Sequence, residues 1–226
     1  MVSTLTATET SQGSALRIYG DGDAYVGDVS GFLRDLEYAY NSAYVFDSIL
    51  EEAEELYRTG NNPGLPIRNL LWMAWWPPTP EKVAAMVPEA DRLRLIGVEL
   101  HSPGFWDFLG KLNPLEVLRQ YLNDRHERQK DREFRSPAEA RKLELENQSL
   151  ELDIIERKIG ILKQCGATDK DIALLKEQLL AQSLRQLNPY QNQGLILEGE
   201  IVDPNIEKKK IALPQRLLTS PPLLQV

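Results

Sequence analysis

The sequence predicts an α+β protein: a small three- or four-stranded sheet covered by helices, followed by a long antiparallel helical hairpin with a coiled-coil-like pattern. Short alternating segments at Leu16–Tyr19 and Arg92–His101 have the two-residue period of strands. Apolar residues between Asp28 and Tyr57 recur at spacings of three and four, which is a helical face. From Ser136 to Leu187 the same spacing persists with Gly160 and Gly166 as its only interruptions.

That last stretch is the most regular. Ser136-Pro137-Ala138-Glu139 reads as a helix start, with a capping Ser, Pro at the first turn and Glu able to reach back to the cap. Leu145, Gln148, Leu152, Ile155, Ile159 and Leu162 then draw a nearly straight seam. Leu143, Asn147, Leu150, Ile154 and Ile161 form a second stripe beside it. Gly166 is placed as a left-handed C-cap, and Thr168 with Asp171 offers the next N-cap. The second helix carries Ile172, Leu175, Leu179, Leu180, Leu184 and Leu187 and is expected to stop at Asn188-Pro189. A hairpin of two such helices needs a third surface to bury its stripes, supplied by its own chain or by a second copy. The expected pairing residues are Leu145, Gln148, Leu152, Ile155, Ile159, Leu162, Leu175 and Leu179.

Composition sets bounds. The chain has 226 residues, 42% hydrophobic and 27% charged, enough for one large domain or two small ones. A net charge of -8 argues against indiscriminate binding to nucleic acid or an anionic membrane surface. The acids gather between Asp21 and Arg58, whereas Arg and Lys outnumber acids between Arg119 and Lys142. Cys165 is the single cysteine, which excludes an intrachain disulfide. No basic, apolar leader precedes Arg17, and the run Leu70–Trp76 falls short of the ~20 residues a membrane span requires. A cytoplasmic protein is the simplest expectation.

The chain divides on this reading into a disordered lead at 1–14, an α+β domain at 15–123, a polar helical connector at 124–135 and the hairpin at 136–188. A mostly extended tail follows at 189–226, within which 195–202 can supply a last strand. Inside the α+β domain, Gly20-Asp21-Gly22-Asp23 is a turn. Its acids have the spacing of the first two calcium-loop ligands, but Tyr25 and Val26 occupy the places of the third ligand and the turn Gly. Tyr38, Tyr40 and Tyr44 at helical spacing read as core and rim rather than a ligand cage. Ile67–Trp76 suits a buried strand, and the crowding of Trp72, Trp75 and Trp76 makes one ring a candidate partner anchor. Thr79-Pro80-Glu81 opens a short helix that must end before Pro88. In the next strand the apolar phase slips at Ile96-Gly97, the signature of a β-bulge. Ser102-Pro103 reads as the start of a helix holding Phe105, Trp106, Phe108 and Leu109, and Asn113-Pro114 restarts it.

Chemistry has few candidates. His101, Ser102 and Asp107 lie in one short stretch, but neighbours in sequence do not make a triad, and Ser102 already has a capping role. A helix N-terminus at Ser102 offers an anion or small-molecule site lined by His101, Ser102 and Gly104. His101, His126 and Cys165 have no metal-ligand spacing, and no glycine pattern cradles phosphate. No cofactor is expected. The sequence therefore points to a non-enzymatic protein-interaction or regulatory adaptor that oligomerises through its hairpin and meets another protein. An anion or small-molecule sensor, or an enzyme, using the Ser102 site is the alternative.

Overall fold

The computed structural model describes residues 14–20, 24–59, 79–99, 104–134, 159–160, 162–164 and 166–204, with backbone alone at 131–134. These residues form an antiparallel four-stranded sheet with helices, an α+β architecture. The strands are β1 (Ser14–Gly20), β2 (Arg94–Glu99), β3 (Gly104–Gly110) and β4 (Gly199–Val202), in the spatial order β2-β3-β1-β4. The helices are α1 (Val26–Arg58), α2 (Pro80–Met86), α3 (Leu112–Phe134), α4 (Asp169–Leu175), α5 (Gln182–Arg185) and α6 (Asn188–Asn192). A π-helical segment, Lys176–Ala181, joins α4 to α5.

β1 sits at the centre because its side chains alternate cleanly. Leu16 and Ile18 face Phe108 and Trp106 across the β1–β3 ladder, and all four are buried. Phe32 of α1 lies edge-on against Trp106 (5.5 Å between ring centroids) and Phe108 (6.2 Å), which fixes the helix on this face. Phe32 also meets Tyr190 of α6 at 5.9 Å, so one ring joins the first helix, the sheet and the C-terminal segment. The Tyr190 hydroxyl donates to Asp35 Oδ2 at 2.7 Å and ties α6 back to α1 a second time.

β2 carries the expected bulge. Its ladder with β3 pairs Leu95 with Phe108 and Gly97 with Asp107, so Ile96 is the extra residue. β3 departs from expectation: Gly104–Gly110 is a strand, where Ser102-Pro103 suggested a helix. The reason is its two-residue alternation. Trp106 and Phe108 point to the helices while Phe105, Asp107 and Leu109 take the opposite face, and aromatic residues fit a pleated surface well. The helix begins only at Leu112, just before Asn113-Pro114.

The polar segment expected as a solvated connector is the second half of α3, and one of its sides is engaged. Asn123 holds β4 by two bonds, its Nδ2 donating to Gly199 O (3.0 Å) and its Oδ1 accepting from Gly199 N (2.8 Å). Arg125 donates to Gln191 Oε1 (3.2 Å) and Asn192 Oδ1 (2.7 Å), and Gln129 donates to the same Asn192 oxygen (2.9 Å). Gln191 Nε2 in turn donates to the carbonyls of Leu122 and Leu197 at 2.9 and 2.6 Å. The chain from 189 on, expected as a mostly extended tail with a possible strand at 195–202, thus first completes a short helix, is clipped to α3 and then enters the sheet as β4.

The caps expected at Gly166 and at Thr168 with Asp171 are present. Gly166 has φ +94°, and the amides of Gly166 and Ala167 donate to the carbonyls of Lys163 and Leu162. Thr168 Oγ1 accepts from Asp171 N (3.2 Å) and Asp171 Oδ2 accepts from Thr168 N (3.0 Å), a complete capping box. In the π segment the ladder is displaced, and Ser183 Oγ donates to the carbonyls of Leu179 (2.8 Å) and Leu180 (3.0 Å).

Gly20 is where the returning chain passes closest to β1. A Cβ there would collide with the Leu195 carbonyl, its carbon only 2.7 Å away, and a backbone neighbour has no rotamer with which to give way. Gly20→Ala is expected to destabilise the protein by about 3 kcal/mol in urea unfolding, at the upper end of overpacking costs.

Candidate functional site

The sequence-predicted site residues divide into those the structure describes and those outside it. Leu145, Gln148, Leu152 and Ile155, together with His101, Ser102, Trp72, Trp75 and Trp76, lie outside the described residues. The remaining seam members are covered by their own chain: Ile159, Leu162, Leu175 and Leu179 are each less than 7% exposed and share one apolar cluster with Leu16, Phe32 and Trp106. They serve as core. Gly104 opens β3 opposite Gly20, so the helix that was to aim its amides at an anion from this position is replaced by a strand.

Two polar clusters escaped the sequence reading. On the sheet face opposite α1, Arg17 and Asp107 stand opposite one another in the β1–β3 register. Arg17 Nε and Nη2 donate to the two carboxylate oxygens at 2.8 Å each, the fork-to-fork geometry that makes Arg–carboxylate pairs strong. The side chains are 11% and 1% exposed, and the Phe105 ring lies 4.0 Å from the guanidinium carbon. Stripping either partner from a pair this buried would strand a charge, which typically costs ~3–5 kcal/mol. Tyr19, next along the same face of β1, hydrogen-bonds Glu200 of β4.

The second cluster joins α1 to the loop before β2 and to the β3–α3 junction. Tyr40 donates to the Asp91 carbonyl (2.7 Å) and accepts from the Lys111 amide (2.9 Å). Tyr44 donates to Asp91 Oδ2 (2.7 Å), while Lys111 Nζ lies 3.5 Å from that carboxylate and 4.9 Å from the Tyr44 ring centroid. Burial pushes the Tyr40 phenol up to about 12. The expectation that these tyrosines are core and rim agrees with their exposure: Tyr40 is fully buried and Tyr44 is 7% exposed.

Both clusters are saturated with internal partners and hold elements together. The apolar surface is another matter. β2 is an edge strand, and its Leu95 and Val98 are 49% and 42% exposed although they stand opposite Phe108 and Trp106 on the helix-covered side of the sheet. The covering helices stop short of β2, and this edge is the apolar part of the sheet that the described elements leave open. Among the described residues no group of three acidic, His or Cys side chains is placed to hold a metal ion. No helix among them is long and apolar enough to cross a membrane.

Comparison with protein-family models, with curated proteins and with solved structures gives no match to this chain. The class stands on the fold: an α+β protein whose four-stranded antiparallel sheet, among the described residues, has β2 at one edge and β4, from its own C-terminal segment, at the other.

The tyrosine cluster gives a pH prediction. An unfolded tyrosine ionises near 10.0, whereas Tyr40 keeps its proton to about 12 in the folded protein. Its contribution is therefore fully present below pH 10 and is lost as pH rises from 10 to 12. Absorbance titration at alkaline pH should show Tyr40 ionising together with unfolding, and the Tyr40→Phe variant should lose stability at neutral pH and show a shallower decline above pH 10.

Proposed function

We propose that this chain is a protein-interaction module without chemistry of its own, one that associates with itself and presents its α+β body to another protein. The observation that carries the reading is β2, the edge strand among the described residues, where Leu95 and Val98 remain about half exposed on an otherwise apolar sheet face. Apolar surface on an edge strand invites pairing, and proteins that keep such edges in solution generally hide or use them. The buried charged and phenolic groups support the same reading. Arg17, Asp107, Tyr40 and Tyr44 are each taken up by structural contacts, which leaves them poorly placed for acid–base or nucleophilic work.

The finer form of the proposal gives the helical hairpin at 136–188 a role in assembly. Ile159, Leu162, Leu175 and Leu179 are used in the core, but the stripe continues at the same spacing through Leu145, Gln148, Leu152 and Ile155. Those four positions are the hairpin's contribution to self-association. A cytoplasmic setting suits a chain with Cys165 as its lone thiol and a buried Arg17–Asp107 ion pair tying β1 to β3.

Light scattering coupled to size exclusion tests the proposal. The full chain at roughly 100 µM should elute at a mass above its 25.7 kDa monomer. The double variant Leu152→Glu/Ile155→Glu should shift that distribution toward monomer while circular dichroism and unfolding midpoint stay near the parent values. A monomer at every concentration would overturn the self-association, and assembly indifferent to the double variant would remove the hairpin from it.

A further inference from the structure

β2, an edge strand among the described residues, has a sequence that matches itself. β2 runs Arg94-Leu95-Ile96-Gly97-Val98-Glu99, a cation at one end, an anion at the other and an apolar residue inside each. Its exposure repeats the symmetry, with the two end pairs exposed and the middle pair half-buried. In a regular strand Leu95 and Val98, three positions apart, would point to opposite faces. The bulge at Ile96 changes this: Leu95 and Val98 stand opposite Phe108 and Trp106 on one face, while Arg94 and Glu99 stand opposite Leu109 and Phe105 on the other.

We propose that β2 pairs antiparallel with β2 of a second copy of this chain, about a two-fold axis perpendicular to the sheet between Ile96 and Gly97. This deepens the self-association reading above and rests on it. In that register Arg94 lies opposite Glu99 of the second copy, and the symmetry makes the ion pair twice. Leu95 lies opposite Val98 of the second copy, also twice, and the four apolar side chains close into one cluster on the helix side. Residues directly opposite in an antiparallel pair share a face, and the bulge is what brings both pairs into that condition. The interface is isologous, as two-fold dimers require. The product is a continuous eight-stranded sheet in the order β4-β1-β3-β2-β2-β3-β1-β4, with both β2 edges paired and a β4 at each end.

Bulges and terminal charges are also devices by which edge strands avoid pairing. What sets this strand apart is that its charges have opposite sign at mirror-related positions, so that pairing with itself attracts where a like-charged edge would repel.

Charge reversal and mixing discriminate. Arg94→Glu alone turns both ion pairs into carboxylate–carboxylate repulsions in a self-pair, and Glu99→Arg alone turns both into repulsions between guanidinium groups. Each single variant should dimerise about tenfold more weakly than the parent, or worse, in sedimentation equilibrium. Mixing the two variants sets the introduced carboxylate of one chain against the introduced guanidinium of the other. The native Glu99 of the first chain then meets the native Arg94 of the second, so heterodimers should form with near-parental affinity. If the parent assembles and both single variants assemble equally well, the β2 register is wrong while self-association stands. Single variants weakened but not rescued by mixing would likewise overturn it, because damage confined to one chain cannot be repaired by the other. A parent that stays monomeric sinks this pairing together with the self-association reading.

Discussion

The return of the C-terminal segment to the sheet is the constraint on which the rest of the structure depends. β1 needs partners on both sides, and its second partner comes from residues 199–202, far away in sequence. The amide of Tyr19 donates to Glu198 O (2.9 Å) and that of Leu197 to Tyr19 O (2.7 Å), which extends the pairing back toward Leu195. Loop closure over such a separation is slow and entropically costly, so it must be secured by specific contacts. Asn123 on β4, Gln191 between α3 and the turn, and Tyr190 against Phe32 supply them. Each is a directional contact, and together they fix the register in a way that a purely apolar seam would not.

Once that segment is docked, the helices from Asp169 to Leu187 have their apolar side chains committed. Leu175, Leu179, Leu180, Leu184 and Leu187 join Phe32, Leu36, Leu115, Leu118 and Leu122 in one cluster. The regular spacing that resembles an interchain seam is satisfied here by the chain's own helices. The β2 edge is different, because its Leu95 and Val98 stay 49% and 42% exposed, and it is there that we propose pairing with a second copy. Among the described residues the sheet thus ends in β4, clipped to the helices, on one side and in the more exposed β2 on the other.

Much of the fold was legible in the sequence. α1, the Pro80 helix, the bulge at Ile96, the Gly166 stop and the Thr168–Asp171 cap each rest on local steric or hydrogen-bonding rules that work within a few residues. β3 was not legible, since Ser102-Pro103 imitates a cap and a charged residue, Asp107, stands in the middle of its strand. The charge becomes intelligible only beside Arg17, its partner 90 positions away. An Arg in the middle of an apolar strand was the one available signal that a buried carboxylate lay opposite. The clips from α3 were hidden for a similar reason: Asn123, Arg125 and Gln129 look solvated until Gln191 and Asn192 are brought to them.

Native-state hydrogen exchange tests this account most directly. The amides of Leu197, Gly199 and Tyr19 should exchange with the same opening free energy as those of Phe108 and the centre of α1, because the returning segment and the sheet open as one unit. Rapid exchange at Leu197, Gly199 and Tyr19 by a separate, low-energy opening, with β3 and α1 still fully protected, would contradict it.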